Sequence, residues 1–382
     1  MEKSKMSESI NPLASPKGVK RLCELCQKPA HLRCSHCRVT FYCDAAHQQA
    51  DWNSIHKKAC ELLIHIRAPV PYLPLKADRD HQQTLAQKRL EQLMEVSRAE
   101  ARVQVVEGRY TESLPAAQLS LHCAIDLYGH DAVELVPAYL LLAEANMGSG
   151  SLSKAQSYLS QAEWTVLKTP DCSRTVLLEL HRNLGRLHTF TGSYQSALLH
   201  FANYVYYASE EFGLNSTETA RGYFMMADVF GKQEKPDIAS SLYSQVASTW
   251  HTHLSELFEL RSQRGAQGEP CFDKAQCAEV DQMLRVMLEA HEQQQQQQHQ
   301  DARAHPARSD SLPQAAVLSH SRAMLWFLCS NSSKALGFGR KALDCIQQCE
   351  QNSLAESIQS LINQAEDHLN TSTLSGSSPD RD

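Results

Sequence analysis

The chain has 382 residues, of which 42% are hydrophobic and 21% charged; that length holds two or three domains at about 150 residues each, and the composition is too apolar for wholesale disorder. A net charge of -6 argues against a whole-chain nucleic-acid binder, because neutralising phosphates needs a basic face. No run approaches the ~18 apolar residues of a membrane span, and no signal-peptide stretch opens the chain, so the sequence predicts an intracellular, cytoplasmic protein without a membrane partner.

In chain order, residues 1–20 are expected to be disordered, and 21–62 form a small module. Cysteine usage is uneven: Cys23, Cys26, Cys34, Cys37, Cys43 and Cys60 crowd this module, and the other seven scatter over the rest. Clustered cysteines in an intracellular chain point to metal rather than bridges. With His47 and His56 they make eight donors, enough for two tetrahedral zinc ions, in the pattern Cys-x2-Cys, Cys-x2-Cys, Cys43-x3-His47 and His56-x3-Cys60. A tight turn lets each Cys-x2-Cys pair hold one ion, and the i,i+4 spacing of His56 and Cys60 puts both on one helix face. So short a segment cannot bury enough apolar surface alone, so metal supplies much of its folding free energy. Since protein donors fill every position, both zincs are read as structural. Nine Lys/Arg against four Asp/Glu between Lys17 and Arg67 make a modestly positive, solvated face rather than a DNA site.

The two Cys-x2-Cys pairs, Phe41-Tyr42-Cys43, Gln48, Asp51-Trp52 and His56-Lys57-Lys58-x-Cys60 closely resemble a MYND zinc finger. That resemblance implies interleaved pairing: Cys23, Cys26, Cys43 and His47 on one zinc, and Cys34, Cys37, His56 and Cys60 on the other. His47 departs from the family's usual Cys; imidazole replaces a thiolate adequately, with a shorter bond. The resemblance also implies protein binding, with Gln48 and Trp52 in a groove for proline-rich peptides. A Trp face suits proline rings and an amide suits extended backbone; the competing reading is that Trp52 packs on the finger's own core.

Residues 85–260 carry an internal repeat of period 42. Gly108, Gly150 and Gly192 recur at that interval, as do Ser113, Ala155, Ala197 and Ala239, and upstream Ala101, Ala143, Gly185 and Ala227. Leu159, Phe201 and Tyr243 follow the same register, with Ala117 in the first copy. Each unit reads as two amphipathic helices joined by a Gly turn, with small residues where helices cross. It resembles the tetratricopeptide (TPR) repeat in the longer form found in kinesin light chain, with Tyr128-Gly129 and Phe212-Gly213 ending second helices. The predicted fold is therefore mostly α: a two-zinc MYND-type finger followed by an all-α, TPR-like superhelical domain. Residues 261–312 are expected to be a mobile polar insertion around one helix, Ala275 to His291, with the Gln293–Gln298 run. A degenerate repeat and capping helix follow over 313–369, marked by Ala323, Ala335 and Ala342, and then a disordered tail, 370–382.

The repeats have no inherent chemistry. The positions matching a chaperone-binding carboxylate clamp hold Arg98, Arg102, Leu141 and Asn183, an incomplete donor set that predicts no chaperone binding. Arg182 and Arg186, i,i+4, are candidates for an acidic ligand or a solvated face. His181, His188 and His200 lack consistent ligand spacing, and Cys123, Cys172 and Cys329 read as small buried hydrophobes. Finger and repeats are expected to have separate cores and to bind separate proteins.

Three classes compete: a non-catalytic adaptor, a nuclear transcriptional corepressor adaptor, and a lysine methyltransferase. The last needs a SET segment before the finger and its Asn-His-Ser-Cys signature, neither of which is found, so the chain is expected not to be an enzyme. The corepressor would want a dense basic import signal. The layout of finger then repeats resembles scaffolds of axonemal complexes, which implies a cilium or sperm-flagellum setting with another TPR or axonemal protein as partner.

Overall fold

In the computed structural model, residues 7–10, 21–69, 72–264, 271–301, 314–347 and 354–375 are described. Three antiparallel strands, β1 (Ser7–Ser9), β2 (Leu32–Cys34) and β3 (Phe41–Tyr42), form a small sheet in the order β1-β2-β3. Ser7 lies opposite Cys34, and Leu32 opposite Tyr42. Part of the segment expected to be disordered is thus paired: β1 covers the edge of β2, and Glu8 accepts from Arg33 at 2.9 Å. Residues 1–6 and 11–20 lie outside the described residues. Asp44 caps helix α1 (Ala45–Asp51) by accepting the His47 N–H at 2.8 Å. A π-helical turn, Trp52–His56, carries α1 into α2 (Lys57–Arg67).

The helices that follow are α3 (Lys76–Val106), α4 (Tyr110–Tyr128), α5 (Val136–Gly148), α6 (Leu152–Leu167), α7 (Arg174–Phe190), α8 (Tyr194–Phe212), α9 (Thr217–Lys232), α10 (Pro236–Arg264), α11 (Lys274–Asp301), α12 (Gln314–Leu328), α13 (Ser332–Gln347) and α14 (Ala355–Ser375). None among the described residues is long and apolar enough to cross a membrane. The backbone forms two compact units, 1–187 and 188–382.

The period of 42 is visible in the backbone. Gly108, Gly150 and Gly192 have φ of 76°, 80° and 75°, and Glu234, the next in register, has 59°. The residue after each of them bonds back five residues: Arg109 N–H to Gln104, Ser151 to Asn146, Ser193 to His188 and Lys235 to Phe230, all at 2.8–3.0 Å. This is the Schellman arrangement that closes a helix. Ser330 (φ 60°) repeats it, with Asn331 bonding Trp326, so α12–α13 is a fifth hairpin. Its Ala323 and Ala335 stand seven before and five after the left-handed residue, as Ala101 and Ser113 do around Gly108. The small positions Ala101, Ala143, Ala155, Ala197, Ala227, Ala323 and Ala335 are fully buried. The fold is therefore mostly α, with successive TPR-like hairpins behind the finger.

In the first unit, Ile55, Ala59 and Leu63 of the finger's helices are buried in the same cluster as Leu93, Ala101 and Val105 of α3 and Ala116 and Ala117 of α4. Finger and first hairpin share a core, contrary to the separate cores expected, because α2 is amphipathic: its ligand face turns to the sheet and its aliphatic face to α3 and α4. Ser54 seals the junction. Pro115 removes an N–H from α4, the next N–H, of Ala116, bonds Ser54 Oγ at 3.2 Å, and Gln104 Nε2 bonds the Ser54 carbonyl at 2.9 Å. Lys58 pairs with Glu100.

In the second unit, α9, α10, α12, α13 and α14 surround one core, and α11 belongs to it. Cys277, Val280, Leu284 and Met287 line a single buried face of α11. The helix is longer than the 275–291 expected and runs through the polyglutamine run; 265–270 and 302–313, within the expected insertion, lie outside the described residues. Two devices tie α11 to α12: Asp281 accepts from Arg322 at 2.8 and 3.1 Å and from Trp326 Nε1 at 3.0 Å, and Cys277 is disulfide-bonded to Cys329. Cys329 is thus not the lone buried thiol expected of it. Helix α14 extends beyond 369 to Ser375, and 376–382 lie outside the described residues.

Candidate metal centre

Each Cys-x2-Cys pair is wound into a turn by a left-handed residue just after its second cysteine. Gln27 has φ 56° and bonds the Cys23 carbonyl at 3.0 Å; Arg38 has φ 60° and bonds the Cys34 carbonyl at 3.0 Å. Neither is Gly, so the sequence offers no turn signal there; the cysteines alone mark it. The β2–β3 hairpin carries Cys34 and delivers Cys43 to the end of β3, and the Asp44 cap sets His47 one helical turn later. The π-turn then turns His56 and Cys60 inward.

All eight residues meet in two groups, Cys23, Cys26, Cys43 and His47, and Cys34, Cys37, His56 and Cys60, with the donor atoms in each within 4.8 Å of one another. In the first, Cys26 Sγ lies 3.6 Å from Cys43 Sγ, and His47 Nδ1 lies 3.1 and 3.5 Å from Cys43 and Cys23 Sγ. In the second, Cys37 Sγ lies 3.6 Å from His56 Nε2. A tetrahedron with bonds of about 2.3 Å has edges of about 3.7 Å, so these separations and the three-sulfur, one-nitrogen donor sets fit a four-coordinate soft-to-borderline metal. The second group is wholly buried, whereas in the first only Cys23 is. Without metal the close thiols Cys34 and Cys37 share one proton unevenly: Cys34, with His56 and Thr40, pulls Cys37 down against burial, while Cys37 and burial push Cys34 up. Among the described residues there is no third such group.

Two groups at the centre escape a ligand search. Tyr42 Oη donates to Asp51 Oδ2 at 2.6 Å, and that oxygen lies 3.5 Å from His56 Nδ1. Burial pushes the Asp51 carboxyl up, with Tyr42 and His56 opposing. The spacing i,i+5 aligns Asp51 with His56 because the intervening turn is π-helical.

The candidate peptide residues are less open than the sequence suggests. Gln48 is only 4% exposed. Trp52 is half-buried, stacked on His36 and tilted against His56, each at 5.8 Å between centroids.

The repeat candidates answer one another. Arg186 and Arg182 both reach Glu144, Arg98 pairs with Glu95, and Arg102 with Glu179 at 3.8 Å. Burial would raise the Glu144 carboxyl, but the two arginines outweigh it and hold it below the usual range. Leu141 and Asn183 are buried. His188 and His200 stack face to face at 5.3 Å, burial holds His181 below the ordinary imidazole range, and burial raises the Cys123 and Cys172 thiols. In the second unit a cleft of about 320 Å³ between α10, α12 and α14 is lined by hydroxyls, amides, Phe258, Met324 and Glu259.

Residues 23–60 match the family described as MYND finger. The human protein Egl nine homolog 1 is 49% identical over 43 residues, 11% of this chain and 10% of that one; the chain thus spans a tenth of the length of this curated relative, all of it at the finger. Among solved structures, BtubC from P. vanneervenii is similar over 76% of this chain and 95% of its own, at 14% identity and a TM-score of 0.29. The TPR domain of P58(IPK) is similar over 85% and 78%, at 14% identity and a TM-score of 0.25. The hairpin repeat rests on this chain's own recurrence.

Proposed function

We propose that the chain is a non-catalytic adaptor, built on two structural zinc ions, that joins protein partners through its finger and its helical repeats. The observation that carries this is the pair of complete four-donor groups, the second of which takes His56 and Cys60 from a helical stretch that also packs on the first hairpin. Cys23, Cys26, Cys43 and His47 would hold one ion, and Cys34, Cys37, His56 and Cys60 the other. Bound zinc would supply cross-links that replace a hydrophobic core, and with four protein donors each neither ion keeps an open position for hydrolysis. The partly buried Trp52 is the anchor for a proline-rich peptide, and Gln48, only 4% exposed, adds little to its surface. The repeats take a second protein, another TPR-type or axonemal component, in the cytoplasm and in the cilium or sperm flagellum.

Affinity purification of the full chain from ciliated or testicular tissue, beside its Trp52→Ala variant, tests this reading. Axonemal proteins recovered by the wild type, with a proline-rich subset lost in the variant while its zinc content stays, support it. Nuclear transcription factors as the dominant partners, or methyl transfer from labelled S-adenosylmethionine abolished by a point change in this chain, overturn it.

A further inference from the structure

Asp51 is a carboxylate at 3% exposure, between Tyr42 at 0% and His56 at 2%. A buried carboxylate is costly unless each oxygen finds partners, and the partners found here are a hydroxyl donor and the edge of an imidazole. That imidazole has two nitrogens with different tasks. Nε2 faces Cys37 Sγ at 3.6 Å, inside the second donor group, and Nδ1 faces Asp51 Oδ2 at 3.5 Å. An imidazole ligates through its unprotonated nitrogen, so the second group works only when the proton sits on Nδ1, and a carboxylate beside Nδ1 selects that tautomer and ring orientation. The Tyr42 hydroxyl, bonded to the same oxygen at 2.6 Å, keeps the carboxylate from turning away.

The first group is built differently. His47 turns Nδ1, not Nε2, toward its thiols, and the carboxylate of this site, the exposed Asp44, takes the His47 backbone N–H and the Cys43 thiol instead of bonding the ring. Three of its four donors are also partly exposed, where all four of the second group are buried.

We propose that Asp51, held by Tyr42, is the positioning residue of the second zinc site, orienting His56 and making this the tighter of the two sites. The inference rests on the zinc reading above and assigns the two sites unequal roles: the second a permanent staple, the first the one that exchanges metal.

The test uses the full chain, loaded with zinc for competition against a chromophoric chelator and with cadmium-113 for NMR in 15N-labelled protein. The wild type should show two cadmium signals, with the one coupled to a histidine Nε2 belonging to the second site, and should release zinc from the first site before the second. Asp51→Asn should shift only the Nε2-coupled signal and weaken only that site, by about 10- to 100-fold. Tyr42→Phe, which keeps the carboxylate and the ring, should shift the same signal by less, and it carries the test if Asp51→Asn does not fold. A lower melting temperature with zinc affinity and both signals unmoved overturns the proposal, because Asp51 is then merely structural; equal weakening of both sites also overturns it. A wild-type chain that binds no zinc overturns the zinc reading itself.

Discussion

Arg186 donates to Glu144, the residue one repeat of 42 before it, and Arg102 occupies the same place one repeat earlier still. The position after the buried small residue of the first helix thus alternates in sign, Arg102, Glu144, Arg186, so neighbouring hairpins face each other with opposite charge. Arg182, one turn before Arg186, closes on Glu144 from the other side, with its nitrogen at 3.7 Å. These arginines therefore serve the stacking of hairpins instead of waiting for an acidic ligand. Glu144→Ala should leave two like charges together and destabilise the first unit by about 1–2 kcal/mol, between the values for exposed and buried pairs. The double exchange Glu144→Arg with Arg186→Glu should restore part of that in a denaturation double-mutant cycle. Full additivity of the single changes would mean the pair carries nothing.

The left-handed turn residue supplies a second test. At Gly192 glycine takes positive φ without strain, while Glu234 takes it with a Cβ and an exposed side chain that packs on nothing costly to lose. Glu234→Gly should raise stability by about 0.5–1 kcal/mol, the relief of strain exceeding the added chain entropy, whereas Gly192→Ala should cost about 1–2 kcal/mol. Thermal unfolding in which both variants shift in the same direction would contradict the geometry.

These turns also mark how far the residues alone can be read. The eight donors and the recurring small residues were legible because metal ligation and helix crossing each tolerate few residue types. The junction at Ser54 was not: a π-turn leaves no periodicity of its own, and one hydroxyl beside Pro115 on another helix is a long-range pairing. Helix α11 was legible over 275–291, but its extension to Asp301 and its place in the core were not, because the buried stripe of Cys277, Val280, Leu284 and Met287 sits in an otherwise polar segment. At the fourth turn Glu234 replaces the glycine, so there the repeat showed only in the small residues Ala227 and Ala239 and in Tyr243, although the backbone kept the same left-handed conformation.

Metal removal should reach beyond the finger. Since Ile55, Ala59 and Leu63 are buried with α3 and α4, and His56 and Cys60 sit on the same stretch of helix, losing metal should release that face together with the ligands. Hydrogen exchange on the chelated full chain should show faster exchange in α3 and α4 as well as in 21–67, with α9–α14 unchanged. Loss of protection confined to the finger would restore the picture of separate cores.

The inserted helix should depend on its salt bridge to α12. Asp281→Ala leaves Arg322, largely buried, without its carboxylate and should cost about 3 kcal/mol, since breaking a buried pair on one side strands the other charge. Exchange protection across 274–296 should fall first. Unchanged protection there would mean that the apolar face and the Cys277–Cys329 bridge hold α11 without it.

Acid sensitivity of the second unit should come from two histidines. His251 Nε2 and His320 Nδ1 lie 3.2 Å apart between α10 and α12, flanked by Ser255 and Met324 one turn on. Burial, with His251 beside it, pushes His320 down to about 3, and burial lowers His251 as well. Both imidazoles are therefore held neutral in the fold at pH values where the unfolded chain, with an ordinary value of 6.5, takes up protons. The unfolded state binds more protons between about pH 3 and 6.5, so stability is complete above 6.5 and falls as pH drops, by about 1.4 kcal/mol per pH unit for each histidine that stays unprotonated. From pH 6.5 to 5 that is about 2 kcal/mol from His320 alone. Urea midpoints measured at pH 7.5 and 5 should show this loss in the wild type and a flatter profile in His320→Leu. Equal slopes in the two proteins would assign the acid sensitivity to other groups.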